Sequence, residues 1–209
     1  MFENSIITLF LSGLGLGLLH AFDSDHLLAV SNLIVQKQSY KKALGYSLHW
    51  AIGHGLVLIL IGLYASFLGL NIPLILSHWA EYLVGIMLIG LGSWTLYILY
   101  TELEFNAKNE ITNHQQVVKR SPLLVGVVHG TAGSAPILAL IPAIQLQQPV
   151  ITLSYMLFFA FGVLLSMSVF AIAFSQSHRQ MAKHNLKGFR FFRLLLGILA
   201  IGLGCFWLV

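Results

Sequence analysis

The sequence predicts an all-α integral membrane protein of six transmembrane helices, arranged as a 3+3 inverted-topology repeat whose first helix is broken or kinked at a cluster of histidines and aspartates. Three observations predict it. Of 209 residues, 57% are hydrophobic and 9% charged, and the mean hydropathy is +0.84, far above what a soluble domain carries. Apolar runs able to cross about 30 Å of hydrocarbon occupy residues 5–35, 43–70, 80–100, 122–144, 150–175 and 190–209. Segments of the first three runs recur in the last three.

The first span opens without a basic leader region, carries Glu3 and holds the polar cluster, so it is expected to be retained and not cleaved as a signal peptide. About 31 residues at 1.5 Å each reach about 46 Å, more than the bilayer core, so this helix must tilt, bend or unwind. Gly13, Gly15 and Gly17 weaken the turn before His20, and Gly13 with Gly17 also offers a small-residue face for close helix packing.

Every basic residue falls in alternate connections: Lys37, Lys41 and Lys42 after the first span, Lys108, Lys119 and Arg120 after the third, and Arg179, Lys183, Lys187, Arg190 and Arg193 around the fifth. The positive-inside rule makes loops 36–42, 101–121 and 176–189 cytoplasmic and both termini external, in a plasma (inner) membrane. Residues 1–209 read as one membrane domain: a first three-helix repeat at 1–100, a cytoplasmic connector at 101–121 and a second repeat at 122–209.

The repeat shows in the residues themselves. Gly17-Leu-Leu-His20 returns as Gly126-Val-Val-His129, and Ala51-Ile-Gly53 as Ala160-Phe-Gly162, both at an offset of 109. In the third spans, Gly85, Ile89-Gly90-Leu91 and Gly92 return as Gly197, Ile201-Gly202-Leu203 and Gly204 at an offset of 112. Three spans per half place the halves in opposite orientations, an arrangement secondary transporters use to alternate access.

Four ionisable groups interrupt the first span: His20, Asp23, Asp25 and His26. Such groups at membrane depth are costly unless they face a cavity, a partner or an ion, and so mark a functional site. Imidazole with carboxylate suits divalent first-row metals. On a regular helix His20, Asp23 and His26 share one face while Asp25 points away; an unwound backbone turns Asp25 inward, so either aspartate is a candidate ligand, with orientation of the imidazoles as the alternative role. His54 and His49 in the second span add two more imidazoles. His129 stands in the fourth span at the position equivalent to His20, within a small-residue segment ending at Pro136. Asn32, Thr131 and Ser134 are weaker candidates for lining the pathway. His78, His114, His178 and His184 fall in loops or at interfaces and are assigned no role.

Several classes are excluded or set aside. The basic residues between spans and a pI near 9.3 reflect membrane orientation, and no nucleic-acid motif occurs. A single cysteine, Cys205, rules out a disulfide framework or a paired-thiol relay. No glycine-rich nucleotide loop occurs, so energy is expected from ion gradients or potential.

His20-Ala-Phe-Asp23-Ser-Asp25-His26-Leu-Leu-Ala-Val-Ser-Asn32 resembles the signature of the nickel/cobalt transporter family, whose core is His, four residues, Asp-His. Ile52-Gly53-His54-Gly55 resembles the family's second motif at its Gly-His. Ser31 replaces the family's usual Asp, and six spans replace its typical eight. A closer likeness is to the short, six-span urease-accessory membrane proteins, which share these motifs and the His129-Gly-x-Ala-Gly-Ser block. The resemblance implies a non-enzymatic secondary transporter of Ni²⁺ or Co²⁺, with the ion as substrate and no permanently bound cofactor. It also implies the lipid bilayer and cytoplasmic metallochaperones or metalloenzyme-maturation proteins as partners. The competing readings are a membrane-embedded metal-dependent enzyme, which would show hydrolysis lost in a His26→Ala variant, and an exporter of a small anion or amino acid, for which Asp23 and Asp25 have the wrong sign.

Overall fold

The computed structural model describes residues 2–35, 39–68, 74–107, 121–132 and 148–209. Within them the chain is entirely helical, in seven helices: α1 (Phe2–His20), α2 (Ser24–Ile34), α3 (Tyr40–Leu68), α4 (Leu74–Ala107), α5 (Pro122–Thr131), α6 (Pro149–His184) and α7 (Leu186–Phe206). Four stretches, in α3, α4, α6 and α7, are long and apolar enough to cross a bilayer; α1 and α2 add a fifth if the bent pair counts as one span. The fourth run expected at 122–144 is described only through α5 and Ala132, and its remainder lies outside the described residues.

The first run breaks where expected, within the histidine and aspartate cluster. Helix α1 continues through Gly13, Gly15 and Gly17 to His20, and α2 departs at 60° after a turn at Ala21–Asp23. Tightening marks the break, with Phe22 and Asp23 donating to the carbonyls three residues back. Asp23 occupies the N-cap of α2 yet makes no side-chain cap bond. Gly13 and Gly17 serve packing: a Cβ at Gly17 would overlap the Phe159 carbonyl, and one at Gly13 would crowd Tyr155.

Two expected loops are partly helix. Helix α6 runs on to His184 because nothing in Ser175–Lys183 breaks it, and the stop comes at Asn185, whose side chain accepts from Gly188 N at 2.8 Å to cap α7. The loop expected at 176–189 therefore shrinks to one residue. Similarly, α4 carries Thr101–Ala107 of the expected connector, with residues 108–120 outside the described set. Arg193, expected beside a loop, is buried in α7 and donates to Glu102 of α4.

Glycine contacts define how the helices meet. A Cβ at Gly17 would strike Phe159, and one at Gly126, 109 residues on, would strike the carbonyl of Trp50, itself 109 residues before Phe159. Gly53 abuts Leu123 and Val127, while Gly162 abuts Leu14 and Leu18, again with every partner displaced by 109. In α4 and α7, Gly85 meets Gly204 and Gly92 meets Gly197, pairs that interchange at the offset of 112. Helix α1 thus packs on α6, α5 on α3, and α4 on α7, so each close pair joins an early helix to a late one. Hydroxyls reinforce two of these contacts or their neighbours: Ser166 donates to the Leu18 carbonyl at 3.1 Å, and Ser47 to the Met167 carbonyl at 2.9 Å. Outward faces carry large apolar side chains such as Leu11, Leu60, Ile86, Phe161 and Val169, as a lipid-facing surface requires.

Candidate metal centre

The break between α1 and α2 places the end of one helix and the start of the next in the packed interior. His20 closes α1, Asp23 follows the turn, and Asp25 and His26 lie in the first turn of α2. Negative charge at that helix start is favoured by the dipole. Helix α3 presents Trp50 and His54, four residues apart and so on one face. Helix α5 brings His129, held close because a Cβ at Gly130 would meet the His54 carbonyl at 2.7 Å.

Four imidazoles result in one cluster. Ring centroids lie 4.4 Å apart for His20 and His26, 4.9 Å for His26 and His54, 5.6 Å for His20 and His54, and 4.5 Å for His26 and His129. His26, His54 and His129 are essentially inaccessible. Among the described residues two groups have ligand atoms within 4.8 Å of one another: His20, His26 and His54, and Asp25, His26 and His129.

Both carboxylates are engaged with imidazoles. Asp23 accepts from His20 Nδ1 at 2.7 Å; Asp25 accepts from His26 Nδ1 at 3.1 Å with one oxygen and from His129 Nε2 at 2.9 Å with the other. A carboxylate only accepts, so those nitrogens carry the hydrogens and the opposite nitrogens hold the lone pairs. His20 Nε2, His26 Nε2, His129 Nδ1 and both nitrogens of His54 are buried with no hydrogen-bond partner. A buried polar group left unpaired costs about 1–3 kcal/mol, and since one nitrogen of a neutral His54 carries a hydrogen, the cluster offers four imidazole lone pairs, a donor set suited to an ion.

Not every expected residue joins. His49 is exposed and its Nδ1 donates to the Gly45 carbonyl at 2.7 Å, because Trp50, not His49, shares a helix face with His54. Asn32 is buried but lies farther along α2, donating to the Leu28 carbonyl at 2.8 Å. Thr131 is exposed and donates to the Val128 carbonyl. Ser134 lies outside the described residues. Asp23 sits at the rim, its side chain 44% exposed. His178, expected to be solvated, is buried, donates to the Phe174 carbonyl and stacks on Phe189.

Two residues of the site carry no charge to announce them. Trp50 stacks on His54 with centroids 5.1 Å apart and meets His26 and His129 edge-on at 5.2 and 5.5 Å. Phe159 packs against His20 at 5.5 Å. They are equivalent by the repeat, and that equivalence was the available signal: an aromatic beside His49 in the second span and another at the matching position of the fifth.

The chain is 30% identical over 192 residues to the urease accessory protein UreH of Bacillus sp. (strain TB-90), an alignment covering 87% of this chain and 82% of that protein. The chain belongs to the UreH family of urease accessory proteins. No protein-family model matches it, and no solved structure does. Membership of the UreH family and the apolar helices together make this a multi-pass membrane protein. Within that UreH-type framework, the buried histidine cluster is the chemically distinctive feature of the described residues.

Proposed function

We propose that this protein is a secondary transporter that moves Ni²⁺, and also Co²⁺, across the plasma membrane through the His20, His26 and His54 cluster, with Asp23, Asp25 and His129 as supporting or alternative ligands. The observation that carries the reading is the set of three buried imidazoles whose unpaired nitrogens converge where α1 and α2 part. Neutral imidazole is a favoured ligand of nickel and cobalt, and the carboxylates on the far nitrogens of His20 and His26 orient the rings toward the ion. The related protein is named a urease accessory protein, and delivery of a divalent metal to cytoplasmic partners fits such an accessory role.

The scaffold is proposed to be a six-span, 3+3 inverted repeat with 1–100 and 122–209 as its halves and 101–121 as the link. Support comes from the interchange of glycine contacts at offsets of 109 and 112. Termini are external and the Lys- and Arg-bearing connections cytoplasmic, by charge placement. The ion is captured at the rim by Asp23, passed to the buried imidazoles, and released as one half rocks against the other.

The test is ⁶³Ni²⁺ uptake and retention in cells expressing the wild type or His26→Ala, with Co²⁺ as competitor and a protonophore control. Accumulation dependent on His26 is expected for import, and reduced retention dependent on His26 for export. Equal nickel content in all cells would sink the reading.

A further inference from the structure

Resting on the transport reading above, we propose that the ion occupies two alternative three-ligand poses that pivot on His26: one made by His20, His26 and His54, the other by Asp25, His26 and His129. The two groups share that one residue, and each holds its ligand atoms within 4.8 Å. An ion bound at about 2.1 Å from each nitrogen needs donors within roughly 4 Å of one another, a contraction either group can make. A single centre using all five residues would need a larger movement, since the His54 and His129 rings stand 6.2 Å apart, the widest of the paired imidazoles.

The poses exclude one another. A neutral imidazole has one lone pair, so His26 serves one ion at a time. Asp25 changes role between them. In the first pose it accepts from both His26 and His129 and orients them, as it does in this structure. In the second the ring hydrogens of His26 and His129 pass to the opposite nitrogens, so that His26 Nδ1 and His129 Nε2, now bearing the lone pairs beside Asp25, bind the ion together with a carboxylate oxygen.

The poses also differ in what they join. His20, His26 and His54 all come from the first three-helix segment, so an ion held there ligates no late helix, and at the site only the Asp25–His129 hydrogen bond ties α5 to α2. His129 comes from α5, so an ion held by Asp25, His26 and His129 bridges early and late helices at their contact. Passage from a three-imidazole shell to a mixed carboxylate and imidazole shell is therefore the step that commits the ion to movement of one half against the other. His129 is the ligand that the late helices contribute to that step.

The test uses the full-length protein in lipid nanodiscs with Ni²⁺ or Co²⁺ alone as probe. Equilibrium dialysis gives stoichiometry and affinity, X-ray absorption gives the nitrogen and oxygen content of the shell, and proteoliposomes give flux. Wild type is expected to bind one ion. His20→Ala retains it, about 10- to 100-fold weaker, in a shell that gains oxygen from carboxylate. His129→Ala and the bulkier His129→Gln hold the ion in a nitrogen-rich shell while flux falls at least about tenfold, and His26→Ala loses affinity by more than about 100-fold. Two ions bound at saturation would overturn the proposal, as would losses in His20→Ala and in both His129 variants as complete as in His26→Ala. Should a variant not fold, the wild-type stoichiometry and the remaining variants still decide. A wild type that binds neither ion overturns the transport reading itself, and this proposal with it.

Discussion

At the scale of single residues, the site is a problem of hydrogen placement. Asp25 sits between two imidazoles and accepts a hydrogen from each, which leaves the other nitrogen of each ring free for a ligand. Asn at this position keeps the shape but offers one acceptor oxygen, so one of the two rings loses its orienting partner. Asp25→Asn is therefore expected to weaken Ni²⁺ binding by about 10- to 100-fold, measured by equilibrium dialysis of the purified protein. Unchanged affinity would show that Asp25 neither orients nor binds. The residues of this site were legible in the sequence wherever they were ionisable, because His20, Asp25, His26, His54 and His129 stand out against apolar neighbours. Trp50 and Phe159 were not, since an aromatic in an apolar span looks like any other packing residue. His49 misled for a related reason: it is as polar as His54, and only the helical phase relative to Trp50 turns it outward.

At the scale of helices, glycine decides which backbones can touch. A methyl group at Gly17 would lie on the Phe159 carbonyl, whereas one at Gly15 or Gly45 meets nothing within 4 Å. Gly17→Ala must separate α1 from α6 and tilt His20 away from the cluster, and it is expected to lower stability by about 1–3 kcal/mol. Gly15→Ala and Gly45→Ala should be neutral or stabilising by up to about 1 kcal/mol, through helix propensity. Thermal denaturation in detergent, read by fluorescence-detected gel filtration, separates the three variants. Equal midpoints would mean that the glycine contact does not hold the helices together. That some break in the first span was needed followed from its length against the bilayer, and its place at the histidine and aspartate cluster was legible too: the chain turns at Ala21–Asp23, where Asp23 is engaged by His20 and makes no side-chain cap. The ends of α4 and α6 ran beyond the expected spans because hydropathy falls where charges begin, and helix continues until a residue such as Asn185 stops it.

At the scale of the whole molecule, the glycine pairs and the charge pattern are independent signs of one arrangement. The pairs relate residues 109 or 112 apart by contacts that interchange, and the charge pattern assigns alternate connections to one side of the membrane. The proposed two halves of three spans would satisfy both by entering from opposite sides. The chain carries one cysteine, Cys205, so Cys205→Ser gives a thiol-free background. In that background a cysteine placed at Asn113, between the third and fourth runs, is expected to react with a membrane-impermeant maleimide only after the cells are opened. A cysteine at Asn71, between the second and third runs, should react in intact cells. The pair of positions matters more than either alone: the Asn71 result reports the connection without basic residues, proposed as external, and the Asn113 result the one flanked by Lys108, Lys119 and Arg120, proposed as cytoplasmic. Labelling of both positions from the same side would require an even number of crossings between them, and the two halves would then run parallel. Parallel halves cannot exchange the inward and outward roles that rocking requires, so that outcome would remove the alternating-access mechanism while leaving the buried imidazoles in place.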